Sequence, residues 1–184
     1  PYCLPDKSKC HVGLEEGILG EYLTDRLTEE AVSFIKSHSE GPFFLHLSHH
    51  AVHTVLQAPD SLINKYRNKT PGKYHKNPIY AAMIEKLDDS VDRICQVIKT
   101  LGIADRTIVI FYSDNGGSEP VTDNYPLNGG KGMPYEGGSR VPLIIRWTGK
   151  IEGGIRSSVP ITGVDFYPTF VTLAQGKIPA NLDG

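Results

Sequence analysis

The sequence predicts an α/β fold in which helices flank a mixed, mostly parallel sheet. Short apolar runs, typical of buried strands, alternate with segments whose apolar residues recur every three or four positions. The three strand-like runs span 43–48, 107–112 and 141–147. Alternation of helices and apolar strands favours a layered α/β arrangement. We expect the 184 residues to form part of a single domain, 1–184, whose sheet is incomplete.

Helical periodicity defines the other elements. A first helix begins near Thr24 or Asp25, residue types that cap helices well, and its apolar face consists of Ala31, Phe34 and Ile35. The clearest helix has one apolar stripe, made of Ile84, Leu87, Val91, Ile94, Ile98 and Leu101. Asp165 is expected to cap a final helix through 166–173. The polar, proline-containing stretch 54–78 predicts a long loop.

Composition and charge exclude several classes of protein. Charged residues make up 22% of the chain, and the formal net charge of −2 is spread along it, so no nucleic-acid partner is expected. No apolar run reaches the roughly 18 residues of a transmembrane helix, so no membrane segment is expected. Three cysteines do not make a disulfide framework. Cys3 and Cys10 could pair, whereas Cys95 is expected to be a small buried residue.

A turn-like motif follows the run 107–112. Ligands of α/β sheets gather beyond the carboxyl ends of strands, where Asp114 and Asn115 lie. Their side chains offer oxygen ligands that suit a hard cation such as Ca²⁺. Gly116 and Gly117 permit a sharp turn and leave room beside those ligands. The residues alone leave a metal site and a plain turn open, because Asp-Asn-Gly-Gly is also ideal turn chemistry.

Histidines cluster after the first strand-like run. His49, His50 and His53 follow it, and His46 lies within it. Histidines at a strand end can bind a metal or an anion, or transfer protons. Their spacing matches no zinc motif. One of them is expected to be functional, and the residues by themselves leave open which one.

A lysine surrounded by glycines is the remaining candidate. In Gly129-Gly130-Lys131-Gly132, the small neighbours allow the Lys131 ammonium to reach an anion, or leave it solvated in a flexible loop. The spacing of a P-loop is absent. Glu136 and Arg140 follow, and we expect them to pair and order this loop.

Five stretches in order resemble the sulfatase family of the alkaline-phosphatase superfamily. They are 43–59 (FFLHLSHHAVHTVLQAP), 80–92 (YAAMIEKLDDSVD), 107–117 (TIVIFYSDNGG), 127–147 (LNGGKGMPYEGGSRVPLIIRW) and 164–169 (VDFYPT). Each stretch is weak alone, whereas their order and spacing together are specific. The resemblance implies an alkaline-phosphatase-like sheet and makes 1–184 the central-to-late part of a single sulfatase catalytic domain.

The resemblance also implies roles for individual residues. Asp114 and Asn115 match the second pair of calcium ligands, so the chain is expected to carry a partial calcium site. His53 and Lys131 match the catalytic, substrate-binding side chains that contact the sulfate. The family's nucleophile is a formylglycine made from a Cys or Ser followed by x-Pro-x-Arg, a motif that does not occur in these 184 residues. Cys3-Leu4-Pro5-Asp6-Lys7 is similar to it but lies too close to the first helix.

These expectations define three hypotheses. In the first, the full-length protein is a calcium-dependent sulfatase acting on a sulfated sugar or aryl alcohol, and the resemblance implies a secreted, periplasmic or lysosomal location. In the second, it is a phosphonate or phosphate monoester hydrolase of the same superfamily. In the third, the chain is an incomplete, non-catalytic domain. For the chain alone we expect negligible activity, weak calcium binding and poor solubility. The sequence does not define an oligomeric state.

Overall fold

The computed structural model describes residues 17–18 and 20–183. The chain divides into two compact units, Pro1–Ile151 and Glu152–Gly184. The helices and strands of the first unit are α1 (Leu23–His38), α2 (Asp60–Arg67), α3 (Pro78–Thr100), β1 (Val109–Tyr112), α4 (Glu136–Ser139) and β2 (Leu143–Arg146). The second unit contains α5 (Phe166–Leu173). Short 3₁₀ turns lie at Ala104–Arg106 and Gly163–Asp165. The assignment of 1–184 to one domain stays a prediction.

The core of the first unit forms where α1 and α3 pack together. Ile35, Ile98 and Ile103 are 1%, 5% and 3% exposed and make one cluster. Partly buried residues surround it, namely Phe34, Phe43, Leu45, Ile94, Val97, Ala104 and Val109. Burial of apolar surface, at roughly 25 cal/mol per Å², stabilises the contacts among α1, α3, β1 and the segment that follows α1.

The predicted apolar face of α1 is confirmed, and that of α3 is confirmed only in part. Ile98 is buried as expected, but Ile84 and Leu101 are 45% and 36% exposed. The buried positions of α3 instead include Ala82, Met83 and Ser90. Periodicity alone placed the buried face of α3 about one position away from its true place, because two neighbouring stripes of this long helix are both rich in apolar residues.

Helix ends follow capping chemistry to different degrees. Asn77 caps α3, since its Oδ1 accepts hydrogen bonds from the backbone N–H groups of Ile79 and Tyr80 at 3.0 and 3.1 Å. The predicted caps of α1 are wrong, because the helix begins at Leu23 after Tyr22 and encloses Thr24 and Asp25. In the second unit, Asp165 precedes α5 as expected, but its side chain does not cap that helix; its carboxylate instead accepts from the backbone N–H of Thr162 at 2.6 Å.

The sheet in the described part of the chain has two antiparallel strands. β1 pairs with β2 in a register that runs from Val109↔Arg146 to Tyr112↔Leu143. Two predicted strands are therefore confirmed, in shorter form. The predicted mostly parallel sheet is not observed in residues 17–18 and 20–183, because the loop after β1 reverses the chain: the Ser113 N–H donates to the Pro142 carbonyl at 3.3 Å.

The predicted strand 43–48 is not assigned to a ladder. Its residues nevertheless alternate between half-buried and exposed, which is the pattern of a pleated chain with one face on the core. This burial pattern is the one expected of a strand, although the described residues provide no ladder for it.

The segment 54–78 is not a continuous loop. It contains α2, which packs on α3 and buries Ile63 to 7% exposure. Lys65 Nζ also lies 2.6 Å from a Glu85 carboxylate oxygen, which adds a surface contact between the two helices. The sequence did not predict this helix, because one buried apolar residue in a polar segment does not form a periodic pattern. The helix is stabilised by the surface of α3 that this residue covers.

Two further expectations concern membranes and cysteines. None of the helices in the described residues is long and apolar enough to cross a membrane. Cys95 is a half-buried free thiol, somewhat more exposed than expected. Cys3 and Cys10 lie outside the described residues.

Candidate functional site

Asp114 and Asn115 lie in the turn that directly follows β1. The Ser113 hydroxyl donates to the Asn115 carbonyl at 2.9 Å, and the Gly116 N–H donates to the Gly138 carbonyl at 2.9 Å. Asn115 Nδ2 donates to Asp114 Oδ2 at 2.5 Å. Asp114 Oδ1 and Asn115 Oδ1 are not used in this contact. Two oxygen acceptors on adjacent residues are a donor set that fits a hard cation.

The glycines of this region permit close approach of backbone to backbone. A Cβ on Gly116 would lie 1.7 Å from the Gly137 carbonyl oxygen, and a Cβ on Gly137 would lie 1.9 Å from that of Gly129. No other residue type fits these positions without moving the loop. The structure thus adds a second reason for the glycine content, beyond the turn and the space for a ligand that the sequence predicts.

Gly117 joins the metal-ligand candidates to the lysine candidate. Its carbonyl accepts from the Lys131 N–H at 2.9 Å and from Asn124 Nδ2 at 3.0 Å, while its own N–H donates to Asn124 Oδ1 at 2.9 Å. The structure therefore brings the backbone of Lys131 beside the turn of Asp114 and Asn115. The Lys131 side chain is exposed, so its ammonium is accessible to an anion in solution.

The predicted pairing of Glu136 with Arg140 is present. Their closest charged atoms, Glu136 Oε2 and Arg140 Nη1, are 3.6 Å apart across one turn of α4. Both side chains are largely exposed, so the pair contributes at most about 1 kcal/mol. The backbone contacts of Gly116, Gly117 and Gly137 are therefore the stronger restraint on this loop.

His53 lies on a separate turn, where its N–H donates to the His50 carbonyl at 2.9 Å. The rings of His50 and His53 are 5.5 Å apart, and His53 Nδ1 is 2.6 Å from the Thr54 carbonyl oxygen. Because a carbonyl only accepts, Nδ1 must carry the proton in this contact, and Nε2 is the nitrogen available to a substrate. The hydrogen bonds of His53 in the described residues stay on its own turn, so they do not join it to Lys131.

A buried polar chain, which the sequence did not predict, accounts for a different histidine. Thr28 Oγ1 lies 2.6 Å from both the Thr24 carbonyl and Ser90 Oγ, and Ser90 Oγ lies 3.1 Å from His49 Nε2. The carbonyl only accepts, so one proton assignment satisfies every contact: His49 Nε2–H donates to Ser90, Ser90 to Thr28, and Thr28 to Thr24. These hydrogen bonds connect the segment that follows 43–48 to α1 and α3.

The charge state of His49 agrees with that structural role. Burial lowers the pKa of its imidazole, because the charged form is poorly solvated there. Its Nδ1 is a buried atom without a hydrogen-bond partner in the described residues. The sequence contained one indication of this polar chain: Ser90 is a polar residue that directly precedes Val91, a member of the predicted apolar stripe of α3. His49 thus supports the fold, whereas His53 is exposed.

The described residues offer few side chains that could hold a metal ion together. Residues 17–18 and 20–183 contain no group of three or more His, Cys, Asp or Glu side chains arranged to hold a metal ion. Asp114 and Asn115 supply two side-chain oxygens, whereas Ca²⁺ takes about 6–8 oxygen ligands. The donor types fit calcium, and further ligands would have to come from elsewhere.

Comparisons with known proteins show the family of the chain. The family described as Sulfatase matches residues 2–177. A sulfatase of Formosa agariphila is 39% identical over 172 residues, and the human steryl-sulfatase is 34% identical over 173 residues. The crystal structure of Ps i-CgsB in complex with k-i-k-neocarrahexaose superposes with a TM-score of 0.82 at 38% identity. The chain belongs to the sulfatase family.

The matches cover most of this chain and a minority of each relative. They span 87% of the chain but 31% of the Formosa agariphila sulfatase, and 88% of the chain but 28% of the human steryl-sulfatase. The Ps i-CgsB match spans 89% of the chain and 37% of that structure. The chain therefore spans about a third of the length of these relatives. The PsFucS1 sulfatase from Pseudoalteromonas sp. is another structural neighbour, with a TM-score of 0.71 at 31% identity, which supports the alkaline-phosphatase-like fold.

Proposed function

We propose that the protein containing this chain hydrolyses sulfate esters, and that this chain supplies one side of its active site. The observation that carries the proposal is the hydrogen bonding at Gly117, which holds the backbone of Lys131 beside the turn of Asp114 and Asn115. A cationic side chain next to a pair of oxygen ligands is what a metal-assisted reaction of an anionic ester needs. Membership of the sulfatase family supports the same reading.

Calcium is the cation that we propose for this site. Asp114 and Asn115 would hold it through side-chain oxygens, together with ligands from outside the described residues. When bound, the ion would offset negative charge on the sulfate group. Asn115 Nδ2 and Asp114 Oδ2 are used in their mutual hydrogen bond, so we propose Asp114 Oδ1 and Asn115 Oδ1 as the ligands of the ion.

Lys131 and His53 are proposed to act on the sulfate itself. The Lys131 ammonium would balance the charge of the sulfate oxygens as the S–O bond breaks. His53, with Nδ1 donating to the Thr54 carbonyl, would present Nε2 to the substrate and donate a proton there when the ring is doubly protonated. The nucleophile proposed for this reaction, a formylglycine, would come from residues outside the chain.

A separate proposal concerns the fold of the segment 43–48. We propose that it is a strand of a mostly parallel sheet, with ladder partners elsewhere in the protein. Its alternating burial supports this, as does the packing of Phe43 and Leu45 against the same core cluster that Val109 of β1 contacts. Such a strand would end just before the turn that carries His53.

The substrate class that we propose is a sulfated glycan. Ps i-CgsB is a structural neighbour crystallised with k-i-k-neocarrahexaose, an oligosaccharide by its name. The human steryl-sulfatase and mouse arylsulfatase J are also similar to the chain, so a sulfated non-sugar alcohol is the contrasting class. A comparison of turnover on both kinds of substrate separates these classes.

The test uses the intact protein and paired substrates. Hydrolysis of 4-nitrophenyl sulfate is measured against 4-nitrophenyl phosphate, with and without a calcium chelator. We expect sulfate-specific, chelator-sensitive turnover. Phosphate turnover that exceeds sulfate turnover would support the phosphate monoester hydrolase instead. No sulfate turnover on aryl or sugar esters, with formylglycine confirmed by mass spectrometry, would refute the proposal.

Variants of the site residues sharpen this test. Lys131→Ala should lower kcat/KM by about 10²–10³-fold, the usual loss when one stabilising group is removed from the transition state. Lys150→Ala is the matched control, since it removes another exposed lysine from the same unit. Equal activity of the two variants would remove Lys131 from the proposed mechanism.

A further inference from the structure

A cleft outside the candidate site offers a place for the rest of a substrate. It has a volume of about 660 Å³, within the range of roughly 300–1,000 Å³ that is typical of ligand pockets. One wall comes from the connection between α2 and α3, and the other is the segment 119–123. Neither wall contains a residue assigned above to the metal or the sulfate.

The two walls of the cleft differ in charge. Arg67 and Lys76 lie on the first wall, and Glu119 and Asp123 lie on the second. Tyr74 also lines the first wall, where its ring stacks on Tyr125 with centroids 4.5 Å apart. Cations on one side and carboxylates on the other match a molecule that has both an anionic group and hydroxyl groups.

The cleft is connected to the candidate site through Thr122. Its hydroxyl lies 3.2 Å from His75 Nδ1, which joins the two walls. Its methyl group packs against Gly117, where an added Cβ would come within 2.4 Å of it. Gly117 in turn accepts the hydrogen bond from the Lys131 N–H. One residue of the cleft therefore contacts the residue that positions the proposed sulfate-binding lysine.

We propose that this cleft is a subsite for a neighbouring anionic sugar residue of the substrate. The inference rests on the proposed sulfatase function, and it assigns recognition of the next sugar to residues outside the reacting centre. Arg67 has five N–H donors, of which Nη1 donates to Asn64 Oδ1 at 3.3 Å; the guanidinium can therefore also bind a sulfate or carboxylate. Glu119 and Asp123 would accept hydrogen bonds from sugar hydroxyls.

The experiment compares two substrates in the intact protein. One is 4-nitrophenyl sulfate, which contains no sugar, and the other is a sulfated hexasaccharide. Arg67→Gln and Lys76→Gln should each lower kcat/KM for the hexasaccharide about tenfold more than for the aryl sulfate, since each removes a charged hydrogen-bond donor. Arg67→Lys should restore part of the loss, because it keeps the charge.

A control and a binding measurement make the outcome decisive. Lys99→Gln removes an exposed lysine of α3 outside the cleft and should leave the ratio of the two activities unchanged. Calorimetry with the hexasaccharide and its desulfated counterpart measures binding without turnover. Equal losses on both substrates, or equal binding of sulfated and desulfated sugars, would overturn the subsite. If the wild-type protein cleaves neither substrate, the proposed function fails, and loss of hexasaccharide binding in the variants still decides the subsite.

Discussion

Substitution of Gly116 by alanine tests whether backbone packing positions the candidate site. The new Cβ would lie 1.7 Å from the Gly137 carbonyl oxygen, whereas ordinary contacts begin near 3.4 Å. The two parts of the loop must therefore move apart by more than about 1 Å. That movement would break the hydrogen bond from the Gly116 N–H to the Gly138 carbonyl, which is 2.9 Å long.

The expected magnitude combines two terms. A lost hydrogen bond costs about 1 kcal/mol, and overpacking typically costs about 1–3 kcal/mol, so the native loop should be destabilised by roughly 2–4 kcal/mol. Displacement of catalytic groups by about 1 Å can cost about 10²-fold in rate. We therefore expect Gly116→Ala to lower kcat/KM for 4-nitrophenyl sulfate by about 10²-fold.

The assay is steady-state hydrolysis by the intact protein, with thermal unfolding measured in parallel. Gly41→Ala is the matched control, because a Cβ at Gly41 meets no atom within 4 Å and its backbone is not left-handed. The control should retain wild-type activity. Activity of Gly116→Ala within about twofold of the wild type would refute the packing argument, since a displaced loop cannot preserve the transition state.

Three further predictions concern the support of the fold. Ser90→Ala should lower the free energy of unfolding by about 1–3 kcal/mol in a denaturant titration, since it leaves buried partners of the polar chain unpaired; an unchanged midpoint would contradict the chain. Asn77→Ala should cost about 1 kcal/mol in the same titration, because it removes the cap of α3, and Asn77→Asp should retain most of that stability. For His49, the folded pKa lies below the ordinary value of 6.5, so the unfolded chain binds its proton first as the pH falls. The contribution of neutral His49 to the free energy of unfolding is therefore fully present above pH 6.5, and it is lost as the pH falls below 6.5 and through the lower pKa of the folded state. His49→Gln should therefore show a shallower loss of stability between about pH 7 and pH 5, and an identical pH profile would contradict this.

The sequence alone predicted α1 and α3 from their periodicity, α5 from its apolar residues, and two strands from continuous apolar runs. β1 and β2 were predicted because continuous apolar, β-prone runs bounded by turn residues have few alternatives. α3 was predicted from its stripe, although Ile84 was assigned to the wrong face. α2 was missed, since its stability depends on Ile63 covering α3 rather than on a local pattern.

The candidate site, like the fold, was predicted only in part from the sequence. The residue types at Asp114, Asn115, Lys131 and His53, and the family that they resemble, were evident from the motifs and their order. The structure added the connection between the first three of these, because hydrogen bonds at Gly117 join residues that are distant in sequence. Their roles in calcium and sulfate binding stay predictions.

What the sequence by itself determined was chemistry that resides in single residues and short motifs: oxygen ligands after a strand, a lysine among glycines, and a cluster of histidines. What only the tertiary structure decided was how those residues are held. It separated His49, whose Nε2 is engaged by the buried Ser90, from the exposed His53. The physical reason is that hydrogen bonding and burial depend on partners from distant parts of the chain, which a local pattern does not contain.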